Sequence, residues 1–74
     1  MKTPKHLAGF VSVLVAVEEA TKGTGFEWLV RRDAAQGYFA TIFKVNMEQY
    51  PHHATTPAGA LSRSLMEFNL RSGK

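Results

Sequence analysis

FEWLVRRDAAQGYFATIFKV, residues 26–45, is the stretch whose reading decides the fold. Two strand-like runs, Phe26 to Arg32 and Tyr38 to Val45, are joined by Asp33, Ala34, Ala35, Gln36 and Gly37, and together they read as a β-hairpin. Pairing residues whose numbers sum to 71 sets Trp28 opposite Phe43, Phe26 opposite Val45 and Val30 opposite Thr41 on one side. The other side then matches Glu27 with Lys44, Leu29 with Ile42 and Arg31 with Ala40. This register gathers the aromatic set on one face and forms a charge pair across the strands. A slip of one residue would set Trp28 opposite Ile42 and turn Phe39, Phe43 and Val45 to the other face.

Upstream, Thr3 with Pro4 is an N-cap and first-turn proline pair, and Gly23 supplies a stop, so the spacing predicts a helix over 4–22. At 100° per residue, Leu7, Phe10, Val11, Leu14, Val15 and Val17 share an arc of roughly 160°, with Val13 outside it. The alternation of Val11, Val13, Val15 and Val17 supports a competing strand over 9–18, and with it a β-β-β-α order. Downstream, 46–55 contains Pro51 and two histidines without a clear period and reads as a loop. Thr56 and Pro57 repeat the capping signal and open a second helix that runs to about Arg71, with Gly73 beyond it. Ala58, Leu61, Leu65 and Phe68 form its inner stripe, while Arg63, Glu67 and Arg71 form an outward ion-paired row. Met66 and Leu70 make a second apolar stripe that this core does not use. The expected architecture is therefore a single α+β domain over 1–74, α-β-β-α, with both helices on the Phe26, Trp28, Val30, Phe39, Phe43 and Val45 face of the hairpin.

Composition bounds what such a domain can do. The chain has 74 residues, 45% of them hydrophobic, with eight aromatics, which excludes both a second domain and intrinsic disorder. A chain this short buries only roughly 60 to 65% of its unfolded surface. A two-stranded sheet is marginal as well, so a homodimer is one way to make good the shortfall. The absence of cysteine excludes thiol catalysis, disulfides and thiolate metal sites, and it fits a cytoplasmic setting. Lys2 and Lys5 before the apolar run Leu7 to Val17 imitate a secretory signal, but no small-residue cleavage pattern follows, and the run is too short to span a bilayer. Nine Lys and Arg against six Asp and Glu give a net charge of +3, a modest bias whose only adjacent basic pair is Arg31 and Arg32.

No set of residues has the spacing of a catalytic or metal site. His6, His52 and His53 do not converge with Glu48 or Asp33, because neighbours in an extended segment point to opposite sides. Ser62 and Ser64 lack a nucleophile elbow, and Glu18 and Glu19 lie on different helix faces. Lys22, Gly23, Thr24 and Gly25 precede a strand, where a phosphate-cradling loop would precede a helix. The expectation is a non-catalytic module without cofactor or metal. It would dock through the outer face of its hairpin, where Leu29, Arg31, Tyr38, Ile42 and Lys44 gather, with Arg32 beside them and Met66 and Leu70 as a second contact. The partner is another protein or nucleoprotein complex, in the manner of small phage or plasmid accessory proteins that inhibit host complexes. A nucleic acid held by Arg31, Arg32, Lys44 and Tyr38 is the alternative.

An opening helix, Gly25 and Phe26 entering a strand, and a closing helix with Gly59, Leu61 and Leu65 in a Gly-x-Leu-x-x-x-Leu pattern resemble the HicA-type RNA-cleaving toxins over about 50 residues. That resemblance implies a double-stranded-RNA-binding-domain fold with a third strand, and a catalytic histidine at the start of the second strand. This chain has Gln36, Gly37 and Tyr38 there, and its sequence shows no evident third strand.

Overall fold

A computed structural model of the chain describes residues 9–47 and 49–71. The elements run α1 (Phe10–Thr21), β1 (Glu27–Asp33), β2 (Gly37–Phe43), β3 (Gln49–Ala54) and α2 (Pro57–Arg71), and the antiparallel sheet has the order β1-β2-β3. The α+β class and the two helices are as the sequence predicts, with α1 helical and not a strand. The Thr3–Pro4 start, Leu7 and the Gly73 stop lie outside the described residues.

The expected loop over 46–55 is corrected: Gln49–Ala54 is a third strand paired with β2. Proline lowers the strand signal because it cannot donate to a ladder, but β3 is an edge strand, where a missing N–H is tolerated. Pro51 accordingly sits opposite Thr41 within the pairing.

The hairpin register is corrected as well, because the paired residue numbers sum to 70. Trp28 stands opposite Ile42, Val30 opposite Ala40 and Asp33 opposite Gly37. Gly37, at φ 95°, is the anchor: a Cβ there would lie 2.8 Å from the Ala54 carbonyl oxygen of β3, so only glycine fits where the turn meets the third strand. Since side chains alternate, the slip leaves Trp28 and Val30 facing the helices but exchanges the faces of β2. Ala40 and Ile42 turn inward, Phe39 and Phe43 turn outward, and Val45 is exposed beyond the strand.

The reason lies in how closely α2 approaches the sheet. The Ser64 hydroxyl accepts a hydrogen bond from the Ile42 N–H at 2.8 Å and donates to the Tyr50 carbonyl at 2.6 Å, so the helix touches the main chain of two paired strands. Ala40, Ala60 and Ser64 are wholly buried there. A Phe at position 39 or 43 turned inward would hold the helix off. Val17, Ile42 and Leu61 complete the centre, and Phe26, Tyr50 and Phe68 close one end, with the Phe26 and Phe68 rings edge-on at 5.0 Å.

Local signals set the helix ends. Thr56 caps α2: its hydroxyl accepts the Gly59 N–H at 3.0 Å, and Pro57 fills the first turn. α1 ends at Lys22 followed by Gly23 at φ 76°, and Thr24 turns the chain by donating its hydroxyl to the Thr21 carbonyl at 2.6 Å. Its inner arc comprises Phe10, Val13, Leu14, Val17, Ala20 and Thr21. Val13 therefore belongs inside, whereas Val11 and Val15 are exposed.

Candidate functional site

Both helices lie on one side of the sheet, and the alternation of the three strands builds the other side in rows of three. Arg31, Phe39 and His53 form one row. Leu29, Thr41 and Pro51 form the next, and Glu27, Phe43 and Gln49 the third. The centre is apolar, with Thr41 buried in the middle row and Leu29, Phe39 and Phe43 partly exposed around it. Polar groups occupy the corners: Arg31, Glu27, His53 and Gln49.

The first row is linked laterally. The Arg31 guanidinium lies 5.0 Å from the centre of the Phe39 ring, and the His53 ring lies 5.1 Å from it on the β3 side. His53 Nε2 is 3.3 Å from an Asp33 carboxylate oxygen. The other Asp33 oxygen accepts the Ala35 N–H at 2.9 Å, forming an Asx turn at the hairpin tip. The Ala35 N–H is the main reason the Asp33 carboxyl titrates below its ordinary value. Desolvation opposes the shift, and the Gln36 N–H and His53 add to it. The two adjacent histidines diverge as neighbours in an extended strand must: His52 faces the helices, and its Nε2 is 2.8 Å from Glu67 of α2. Among the described residues, no three His, Cys, Asp or Glu side chains cluster around a common metal position.

Of the residues expected on the docking face, Leu29 and Arg31 are there. Ile42 and Tyr38 are not, because the register slip turns them toward the helices; Ile42 is wholly buried and Tyr38 half-buried. Arg32, opposite Tyr38, lies at the rim of the helix side. Lys44 folds back onto the chain, with its ammonium 3.3 Å from the Thr24 carbonyl and 5.7 Å from the centre of the Phe26 ring. The expected Glu27 to Lys44 pairing is replaced by Glu27 opposite Phe43. Met66 and Leu70 are exposed on α2, at 62% and 74%.

Phe39, Phe43, Pro51 and His53 are the face residues that the sequence reading missed. The alternation of Tyr50, His52 and Ala54, which continues inward from Ile42, Ala40 and Tyr38, is the signal that could have placed them. No family model matches the chain, and no curated protein or solved structure matches it either.

Proposed function

We propose that the chain is a non-catalytic binding module that docks onto another protein through the open face of its sheet. One observation carries this reading: Leu29, Phe39, Phe43 and Pro51 surround Thr41 on a face that neither helix of the described residues covers, with Glu27, Arg31, Asp33 and His53 at its margin. An apolar centre with a polar rim is the anatomy of a protein interface. The charge on the face supports a protein over a nucleic acid. Arg31 and His53 share it with Glu27 and Asp33, whereas phosphate binding needs an unbalanced run of cations. Arg32 and Lys44, the other cations of the expected patch, point elsewhere. Within this proposal, a blocking role at a host complex, of the phage or plasmid accessory kind, is one form that such docking would take.

The third strand restores one element implied by the HicA resemblance, since α1-β1-β2-β3-α2 is the order of that fold. The start of the second strand still carries Gly37 and Tyr38 where that resemblance implies a histidine, which supports the non-catalytic reading.

The test is a capture experiment with four baits: wild type, Leu29→Asp, Phe39→Asp and Val11→Asp. The expected result is a protein retained by wild type through moderate salt and released by both sheet variants, while Val11→Asp on α1 retains it. Retention that ignores Leu29→Asp and Phe39→Asp overturns the reading. So does a salt-sensitive gain of single-stranded oligonucleotide that is lost in Arg31→Ala with Lys44→Ala, or RNA cleavage by the purified chain.

A further inference from the structure

The two edges of the sheet are built differently. On β3, Pro51 interrupts the row of main-chain donors. On β1, the seven residues Glu27–Asp33 contain no proline or glycine, and among the described residues one side of the strand has no neighbour in the sheet. A strand edge of this kind is a template for another strand. The Trp28 and Val30 side chains above it are only half-buried. We infer that β1 pairs antiparallel with β1 of a second copy of this chain, joining two sheets into one of six strands about a two-fold axis.

Symmetry and charge together select the register. A two-fold axis perpendicular to the sheet keeps each residue on its own face, so opposed residues must have the same parity, and one residue lies opposite itself. Centring on Val30 would set Glu27 against the partner's Asp33, acid on acid, twice. Centring on Arg31 would set two guanidiniums together. Centring on Trp28 would leave Arg31 without an opposed acid. Centring on Leu29 sets Glu27 against the partner's Arg31 twice, Trp28 against the partner's Val30 twice, and the two Leu29 side chains against each other on the open face. Charge on an edge commonly blocks pairing, but in this order it complements itself in one register. The Arg31 guanidinium lies 5.0 Å from the centre of the Phe39 ring, a contact that uses up none of its N–H donors, so a carboxylate opposite it can accept them.

This pairing shares Leu29, Glu27 and Arg31 with the open face, but it runs along the strand edge and its test needs no ligand. Light scattering of wild type is expected to read a particle of twice 8.2 kDa. Arg31→Glu and Glu27→Arg are each expected to weaken association roughly tenfold through opposed like charges. The double variant restores it. Because the chain lacks cysteine, Leu29→Cys gives a clean second measurement. Directly opposed Cα atoms are about 4.5–5.5 Å apart, within disulfide reach, so the oxidised variant is linked between chains. Val30→Cys, whose two copies lie diagonally about 7–8 Å apart, stays unlinked. A wild-type particle of 8.2 kDa, a dimer indifferent to both single reversals, or linkage at position 30 in preference to 29 overturns the inference.

Discussion

The same three strands present two unlike faces, built from alternate residues of one short stretch of chain. On the covered face, Ala40, Ile42 and Leu61 of α2 have no exposed surface, and a helix serine bonds to the strand main chain. On the open face the larger side chains Phe39 and Phe43 stand partly in water, and Leu29 is 37% exposed. Hydrophobicity alone would have assigned them the other way round. What decides is distance: a helix close enough to hydrogen-bond with a sheet requires small side chains beneath it, and bulky rings are displaced to the side with room.

The difference predicts where the energy of folding resides. Leu61→Ala removes a wholly buried side chain and is expected to cost about 2–5 kcal/mol, whereas Leu29→Ala on the open face costs roughly 1 kcal/mol. Denaturant midpoints at an unchanged slope measure both. Equal costs would mean that the open face is as much core as the covered one, and would remove the grounds for a docking surface.

The contact between Ser64 and the strands sharpens the comparison at a single atom. Ser64→Ala leaves the buried Ile42 N–H and Tyr50 carbonyl without their hydroxyl partner, and the expected loss is roughly 1–3 kcal/mol. Ser62→Ala, two residues earlier on the same helix, serves as the control and is expected to change stability by about 0.5 kcal/mol or less. A neutral Ser64→Ala would show the strands re-forming their own bond, and would mean that the helix is not what sets the faces of β2.

How legible all this was in the sequence varies by element. The cap and proline at Thr56 and Pro57, the Gly23 stop and the inward side of Trp28 and Val30 follow from local chemistry, and the structure keeps them. Local rules had no access to the rest. The inner stripe of α2 centres on Ser64, a polar residue that pattern reading discounts; Ala60, Leu61 and Ser64 are its fully buried members, and Ala58 and Leu65 are only partly buried. The hairpin register is fixed by Gly37 meeting the Ala54 carbonyl, a contact with a strand that Pro51 and two histidines had disguised. Having missed that strand, the reading of aromatic pairs chose the neighbouring register and drew Ile42, Tyr38 and Lys44 into a face that only Leu29 and Arg31 share.

The smallest expected effect lies at the hairpin tip, where the open face meets the turn. Asp33 has a carboxyl held below its ordinary value of 3.8, chiefly by the Ala35 N–H, so the folded state favours its charged form. A depressed folded value means that the stabilisation is present above that ordinary value and is lost as the pH falls through the lower, folded one. Asp33→Asn keeps an oxygen that can accept the Ala35 N–H but carries no charge toward His53. The variant is therefore expected to be slightly less stable than wild type at neutral pH and to converge with it in acid, as read from denaturant midpoints across a pH series. A gap that widens on acidification would reverse the sign of the linkage. It would mean that the carboxylate is strained in the folded chain, and that the Arg31, Phe39 and His53 row does not depend on Asp33 for its order.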